Sequence, residues 1–347
     1  MFAGVVFLAG LVELGSAIAL KFVQYEPTHT TDELRRIYPG QDIEKTTRLL
    51  AELNRSNALE YAPFVEFTTT PFKGRYVNVF PERYRSGNVQ PWPPGNDSIL
   101  IFGGSTTFGD GTADDETIPY YIGAKLGTDN VYNLGIPAYY STIERILFLN
   151  LLEQGVTPKA AVFIDGLNDF IFHHFPDRSA FSNRLTVASK LDFHYMAMKL
   201  LAKLYTVRLI LHITGQTVAD FVDQHPASEA DIHRAAIRLI QNRNIISAVC
   251  KQWGIECLFV TQPTATVFYD NGNRPVSVGN NFMGAENCRI GYPILEEYYR
   301  ENPDPNHLFL ARLQVEEPVY VDRFHYSVRM NQAMAHRIAI ALKERDI

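Results

Sequence analysis

The stretch Ile99-Leu-Ile-Phe-Gly-Gly-Ser105-Thr-Thr-Phe-Gly109 decides how the chain is organised. Four apolar residues run into two glycines, a pattern typical of a short buried strand that ends in a turn. A serine at the carboxyl end of a strand in an α/β fold lies where such sheets bind ligands. Serine is also a common helix cap, so Ser105 taken alone indicates either a site residue or a cap.

Strands and helices are predicted to alternate along the chain after residue 98. Short apolar runs predict strands at 99–102, 131–134, 160–164, 256–261 and 319–321. Apolar stripes at helical spacing predict helices at 117–126, 142–154, 228–253 and 328–343, and one further helix at 42–57. The alternation predicts a three-layer α/β/α sandwich with a central parallel sheet.

The composition excludes several classes of protein. The chain of 347 residues has a net charge of −6, which gives no electrostatic footprint for nucleic acid. Its three cysteines lack Cys-x-x-Cys spacing, so we expect free buried thiols rather than a metal site, with a single disulfide as the alternative. No phosphate-binding glycine loop follows the first strand, and the acidic residues at 110–116 lack the spacing of an EF-hand. We therefore predict neither a metal nor a cofactor.

The N-terminal residues 1–20 are apolar apart from Glu13 and Ser16. A helix of about 20 apolar residues is long enough to span a bilayer. A secretory signal with Ala17-Ile-Ala19 as its cleavage site and a buried amphipathic helix are the alternatives. We favour a membrane anchor or signal segment over residues 1–22 and an exported or membrane-anchored domain in the cell envelope.

The rest of the chain divides into two regions. Residues 23–95 form an extension that ends in a proline-rich linker, and residues 96–347 form the main domain. That domain carries two long insertions after predicted strands, at about 170–227 and 269–308. Insertions in this position build lids and substrate walls in many α/β enzymes.

Three residues at predicted strand ends match the needs of acyl transfer to water. A serine hydroxyl becomes a good nucleophile when a base takes its proton, and a histidine held by a carboxylate can act as that base. Ser105 is the candidate nucleophile and His325 the candidate base. Asp322, three residues before the histidine, is close enough in the chain to orient the imidazole ring.

Hydrolysis of an ester also needs donors for the oxyanion of its tetrahedral intermediate. We expect these donors to be the backbone N–H groups of Ser105 and Gly135 and the side-chain amide of Asn168. Gly135 suits this role because a residue without Cβ lets the backbone approach a substrate closely. All three residues follow predicted strands.

Ser105, Gly135, Asn168 and His325, in this order, resemble the four sequence blocks of the SGNH hydrolases, also called the GDSL esterase/lipase family. The resemblance covers roughly residues 98–342, and its most specific parts are Gly-x-Asn-Asp around Asn168 and Asp-x-x-His at His325. It implies a flavodoxin-like fold. It also implies ester hydrolysis through Ser105, with Asp322 and His325 completing a triad.

The first block departs from the family pattern at one position. Where the family usually has Gly-Asp-Ser, this chain has Gly103-Gly-Ser105, and the missing aspartate is not the nucleophile. The form Phe-Gly-Gly-Ser-Thr-Thr resembles membrane-anchored bacterial members of the family.

The sequence thus predicts a metal-independent serine ester hydrolase that acts on a small-molecule or polymer ester, such as an O-acylated carbohydrate or a lipid ester. The second hypothesis is a catalytically silent module of the same fold that binds a ligand or assists assembly in cell-envelope polysaccharide metabolism. The glycine at position 104 and the long insertions allow it.

Overall fold

The computed structural model describes residues 10, 12–17, 30–85, 90–172, 200–201, 203–214, 227–268, 284–316 and 318–347. The chain divides into two compact units. One comprises residues 1–30 with 176–226, and the other comprises residues 31–175 with 227–347. Most of the first predicted insertion, at about 170–227, lies outside the described residues.

The larger unit contains nine strands among its described residues: β1 Leu59–Ala62, β2 Glu66–Thr69, β3 Phe72–Lys73, β4 Asn78–Val79, β5 Ile99–Gly103, β6 Val131–Gly135, β7 Ala160–Asp165, β8 Glu256–Thr261 and β9 His307–Phe309. Its α-helices, in the same described part, are α1 Thr31–Ile37, α2 Ile43–Ser56, α3 Ser105–Phe108, α4 Ile118–Leu126, α5 Ser141–Glu153, α6 Leu167–Ile171, α8 Glu229–Trp253, α9 Cys288–Glu301 and α10 Val328–Lys343. Helix α7, Tyr205–Thr214, belongs to the smaller unit.

Strands β5 to β9 form a five-stranded parallel sheet in the order β6-β5-β7-β8-β9. This is the flavodoxin-like order: β6 lies on one side of β5, and β7, β8 and β9 follow on the other side. The strand order therefore reverses between β5 and β7. Ligands bind at the carboxyl ends of the strands at such a reversal. Ser105 lies two residues after the end of β5, at this point.

Helices cover both faces of the sheet because residues of each central strand alternate between two cores. Ile99 and Ile101 join an apolar cluster with helices α4, α9 and α10. Leu100 and Phe102 join a second cluster with helix α5 and the C-terminal half of α8. Both faces are therefore buried, which explains the continuous apolar runs of these strands. The predicted three-layer α/β/α fold is confirmed.

The helix predictions agree with the structure to within one residue at most ends, because the caps are visible in the sequence. Asp42, Thr117, Ser228 and Ser327 each cap a helix by accepting a hydrogen bond from a backbone N–H of its first turn. These are the residue types that stabilise helix N-termini.

The prediction of a strand at 319–321 is wrong. Tyr320 forms only an isolated bridge with Tyr326, and the fifth strand of the sheet is His307–Phe309 instead. That strand has three residues, all partly buried, so it lacks the apolar run that marked the others. The later part of the predicted insertion at about 269–308 therefore supplies helix α9 and the edge strand of the sheet.

The expectation of free cysteines is corrected for two of the three. Cys250, near the end of α8, forms a disulfide with Cys257 in β8, and Cys288 is a buried free thiol. The disulfide joins the helix to the strand that follows it.

In the smaller unit, Glu13 lies within a helical segment at residues 12–17. Its carboxylate accepts hydrogen bonds from the backbone N–H and the hydroxyl of Thr206, at 3.0 and 2.6 Å, at the start of α7. Among the residues described, none of the helices combines the length and apolar character that a membrane crossing requires. Most of the predicted segment 1–22 lies outside them, so its assignment stays a prediction.

Candidate active site

Ser105 is presented by the turn between β5 and the short helix α3. Gly104 caps that helix, Ser105 is its first residue, and Gly109 ends it with a left-handed φ of 98°. The Gly109 N–H donates to the Ser105 carbonyl at 2.9 Å, which closes the single turn. Since the cap position belongs to Gly104, the Ser105 hydroxyl does not serve as a helix cap.

The structure brings Ser105, His325 and Asp322 together in one hydrogen-bonded line. Ser105 Oγ is 2.8 Å from His325 Nε2, and His325 Nδ1 is 2.6 Å from Asp322 Oδ2. The other oxygen of Asp322 accepts the backbone N–H groups of Phe324 and His325, both at 2.8 Å. These bonds lock the loop in front of α10, so the carboxylate fixes both the backbone and the ring of the histidine.

The charges around His325 favour its protonated form. Burial opposes the charged imidazolium, but the charge and hydrogen bond of Asp322, together with the charge of Asp110, outweigh burial and raise the pKa of His325 to about 9. Burial likewise raises the pKa of Asp322, but the charge and hydrogen bond of His325 and the two backbone donors outweigh it, and the net shift is downward. The pair therefore favours an imidazolium–carboxylate ion pair at neutral pH.

Asn168 lies in the first turn of α6, beside the turn that carries Ser105. Its Nδ2 donates to the carbonyl oxygen of Tyr139 at 2.6 Å, which leaves the second amide hydrogen for another acceptor. Gly166, two residues earlier, has a φ of 116°, a value that glycine tolerates and other residues rarely adopt. The glycine thus lets the chain turn sharply from β7 into α6.

Asp169, the last residue of the Gly-x-Asn-Asp element, anchors helix α6. Its Oδ1 accepts from Ser141 Oγ at 2.5 Å, and its carbonyl accepts from Arg238 at 3.1 Å. Below it, Asp165 and Arg243 form a buried ion pair with both side chains 2 % exposed. These contacts tie α6 to α5 and α8 and so hold Asn168 beside the turn.

Gly135 ends β6 next to helix α3. A Cβ there would lie 2.3 Å from the backbone nitrogen of Phe108, so the glycine is needed for the helix to pack against the strand. Its N–H donates to Asn133 Oδ1 at 3.0 Å. The backbone donor is thus engaged within the protein, and a role at an oxyanion, which would require that bond to be exchanged, stays a prediction.

One charged residue of the site was missed by the sequence interpretation, which considered the acidic residues at 110–116 as a calcium loop and excluded that role. Asp110 Oδ2 lies 3.5 Å from His325 Nε2, and the side chain is 9 % exposed. Its closeness to Ser105 in the chain was the available signal. Ala138, which follows β6, has a left-handed φ of 67°, a strained value for alanine that the sequence does not indicate.

The described part of the chain contains no group of three or more His, Cys, Asp or Glu side chains arranged to hold a metal ion. Ser105, His325 and Asp322 are joined to one another by hydrogen bonds. Such an arrangement suits proton transfer to and from a hydroxyl group.

Comparison with known proteins gives structural neighbours only. No family model matches the chain. No curated protein matches it either. An arylesterase candidate from Agrobacterium tumefaciens is 14% identical, with 72% of this chain and 99% of that chain covered and a TM-score of 0.42. A carbohydrate acetylesterase from Sinorhizobium meliloti is 14% identical over 72% of this chain and 99% of its own, with a TM-score of 0.36.

A third neighbour is an inhibitor-bound aryl esterase from M. smegmatis, which is 15% identical. The match covers 72% of this chain and 99% of that chain, with a TM-score of 0.35. At these identities and TM-scores the likeness carries no information about activity or substrate.

Proposed function

We propose that the protein is a serine ester hydrolase in which Ser105 is the nucleophile, His325 the general base and acid, and Asp322 the residue that orients the histidine. The observation that carries the proposal is the continuous line from Ser105 Oγ to His325 Nε2 at 2.8 Å and from Nδ1 to Asp322 Oδ2 at 2.6 Å. This constellation performs acyl transfer on several unrelated folds, so its geometry supports the activity independently of ancestry.

The reaction follows from the positions of the protons. Neutral His325 carries its proton on Nδ1, toward Asp322, and its Nε2 accepts the proton of Ser105 as Oγ attacks the ester carbonyl carbon. The C–O bond to the alcohol then breaks, and the alcohol oxygen leaves with the proton from Nε2. Water repeats the sequence on the acyl-serine, giving up one proton to His325 and releasing the acid with Ser105 restored.

The developing oxyanion needs donors that are already in place. We assign the backbone N–H of Ser105, at the first position of α3, and the second amide hydrogen of Asn168 to this role. The first N–H groups of a helix have no partner within the helix, which leaves that of Ser105 available. Gly135 remains a third candidate if its bond to Asn133 exchanges.

The proposal is tested by p-nitrophenyl acetate hydrolysis with the wild type and the variants Ser105→Ala and Ser228→Ala. Ser228 is an exposed helix cap in the same unit, so it controls for the loss of a serine hydroxyl. We expect Ser105→Ala to lose at least about 10³-fold in kcat and Ser228→Ala to retain wild-type turnover. Equal rates for wild type and Ser105→Ala would instead support the silent binding or assembly module.

We further propose that the domain works in an oxidising compartment such as the cell envelope, with the segment 1–22 as its anchor or signal. The Cys250–Cys257 disulfide supports export, because disulfides persist mainly outside reducing cytoplasm. The substrate would be a small or polymeric ester, of which O-acylated carbohydrates and lipid esters are the candidates. Rates on a panel of short-chain and long-chain acyl esters and acetylated polysaccharides distinguish them.

A further inference from the structure

A second carboxylate flanks the catalytic histidine on the side of the nucleophile. Asp110 follows α3 and Gly109, and its Oδ2 lies 3.5 Å from Nε2 of His325, the nitrogen that also faces Ser105 Oγ. Asp322 occupies the opposite side of the ring at Nδ1. The imidazole thus lies between two acidic side chains, although a triad requires only one.

The orientation of Asp110 is set by contacts that leave one oxygen for the histidine. Its backbone N–H donates to the Ser105 carbonyl at 3.0 Å, which ties it to the nucleophile turn. Asn57 Nδ2 donates to Asp110 Oδ1 at 3.0 Å, so Oδ2 is the oxygen on the imidazole side. Asn57 is the residue that ends helix α2, in the segment before the main sheet.

Other residues of that early segment fix the loop that carries Asp110. The guanidinium of Arg85, fully buried, donates to three backbone carbonyls of the loop: Phe108 at 2.9 Å, Gly109 at 2.9 Å and Thr112 at 2.6 Å. The hydroxyl of Tyr38 donates to the Gly111 carbonyl at 3.0 Å. Such a set of hydrogen bonds leaves little freedom to the loop, and all of the donors precede β5.

We propose that Asp110 is a positioning residue that stabilises His325 as the imidazolium during acylation and deacylation, and that residues 31–85 complete the active site by holding it there. The inference rests on the proposed function for its catalytic meaning. When Nε2 takes the proton of Ser105, the new N–H can be shared with Asp110 until the leaving alcohol takes the proton. Asp110 remains a carboxylate throughout and neither gains nor loses a proton.

The electrostatics agree with this role. The charge of Asp110 is one of the effects that raise the pKa of His325. The pKa of Asp110 itself is raised by burial and, to a smaller extent, by the charge of Asp322. The charge of His325, the hydrogen bond from Asn57 and the charge of Arg85 offset part of that rise.

Two further titratable groups interact with the pair: an acid and a phenol on other elements. Asp322 faces both Asp110 and His325. Burial and the charges of Asp322, Glu116 and Asp110 raise the pKa of Tyr38, so its phenol stays neutral while the histidine titrates. The loss of the Asp110 charge should therefore appear mainly as a change in the pKa of His325.

The test is an NMR titration of the His325 imidazole in protein that carries Ser105→Ala, which does not depend on turnover. Adding Asp110→Asn removes one negative charge beside Nε2, and we expect the His325 midpoint to fall by about one pH unit, a tenfold loss of proton affinity. Glu301→Gln is the matched control. It removes the same charge from an exposed side chain at the end of α9, and we expect the midpoint to stay where it was.

Asn57→Ala is the second variant, because it keeps the carboxylate and removes only its anchor. We expect a smaller shift in the same direction, and the variant decides the matter if Asp110→Asn fails to fold. An unchanged midpoint in whichever folded variant is measured overturns the inference. Inactive wild type with a shifted titration contradicts the proposed function alone, whereas esterase activity with an unshifted midpoint contradicts the role of Asp110 alone.

Discussion

A β-carbon on Gly104 would lie 2.3 Å from Nδ2 of Asn168, far closer than two such atoms can approach. The backbone of the nucleophile turn and the amide of Asn168 therefore pack directly against each other. An aspartate at position 104, as in the sequence block that Gly103-Gly-Ser105 resembles, would displace the amide or the turn. Gly104 thus leaves the space that the Asn168 amide occupies.

Replacing Gly104 by alanine should therefore displace Asn168 and weaken oxyanion stabilisation. Loss of one oxyanion donor costs about 10²–10³-fold in kcat, and we expect a decrease of that order for Gly104→Ala. Steady-state kinetics on p-nitrophenyl acetate measures it. Gly95→Ala is the control, because Gly95 is exposed in the same unit and a Cβ there would meet only the exposed Asp97 carboxylate, at 3.2 Å. A Gly104→Ala enzyme with wild-type kcat would show that Asn168 is not a donor.

The rate should rise with pH through the ionisation of His325. The base must be neutral to accept the Ser105 proton, and its pKa is raised to about 9, so kcat/KM should increase up to about pH 9 in a single limb. Asp322→Asn should lower the apparent pKa, because the nearer of the two neighbouring carboxylate charges is removed, and reduce kcat by about 10³–10⁴-fold. A wild-type midpoint near 6.5 would contradict the two-carboxylate environment.

The same ionisation links pH to stability. Folding raises the pKa of His325 from 6.5 to about 9, so the protonated form is stabilised in the folded state. This contribution is complete below about pH 6.5 and is lost as the pH rises through about 9. Urea unfolding between pH 6.5 and about 9 should show that the free energy of unfolding of the wild type falls as the pH rises, and that His325→Gln lacks this fall. A dependence that is identical in the two proteins would exclude His325 as its source.

Arg85 should be among the residues on which stability depends most. It pairs with Asp114 at 2.8 Å, and the exposed fractions of the two side chains are 0 % and 10 %. Removing one partner of a buried pair costs about 3–5 kcal/mol, so Arg85→Met should lower the free energy of unfolding by about that amount. Arg300→Met is the control, since its side chain is 70 % exposed and exposed pairs contribute about 0–1 kcal/mol. Equal losses in the two variants would contradict the buried role.

The disulfide can be checked by counting thiols. Protein unfolded without reductant should expose one thiol, that of Cys288, and three after reduction. Because Cys250 and Cys257 are 7 residues apart, the bridge closes a short loop and should stabilise the fold by about 2–3 kcal/mol. Denaturant unfolding with and without reductant measures that difference. Three reactive thiols before reduction, in protein isolated from an oxidising compartment, would rule the bridge out.

Much of the fold and the outline of the site follow from local patterns. Buried strands such as Ile99–Gly103 are continuous apolar runs, and the helices begin at recognisable caps such as Ser327. Asp322 and His325 are three residues apart, so their contact is local. Their approach to Ser105 was expected from a strand predicted at 319–321. That segment is not a strand of the sheet, and the loop in front of α10 brings them to Ser105 instead.

The features that were missed depend on contacts between distant segments. Asn57 ends helix α2 and Arg85 forms isolated bridges, and nothing in the sequence around either residue indicates that they hold the loop of Asp110. The edge strand His307–Phe309 is only partly buried, so selection for apolar residues is weak there. The reason for Gly135 also differs from the expected one, because its missing Cβ makes room for Phe108.

The central claim, that Ser105 is the nucleophile, is tested most directly by labelling the protein with a serine-directed phosphonate and mapping the adduct by peptide mass spectrometry. The structure places Ser105 Oγ 2.8 Å from its base, so we predict a single adduct on Ser105 that is absent from both Ser105→Ala and His325→Gln. An adduct on another residue, or hydrolysis of esters by protein that the probe leaves unlabelled, would contradict the account.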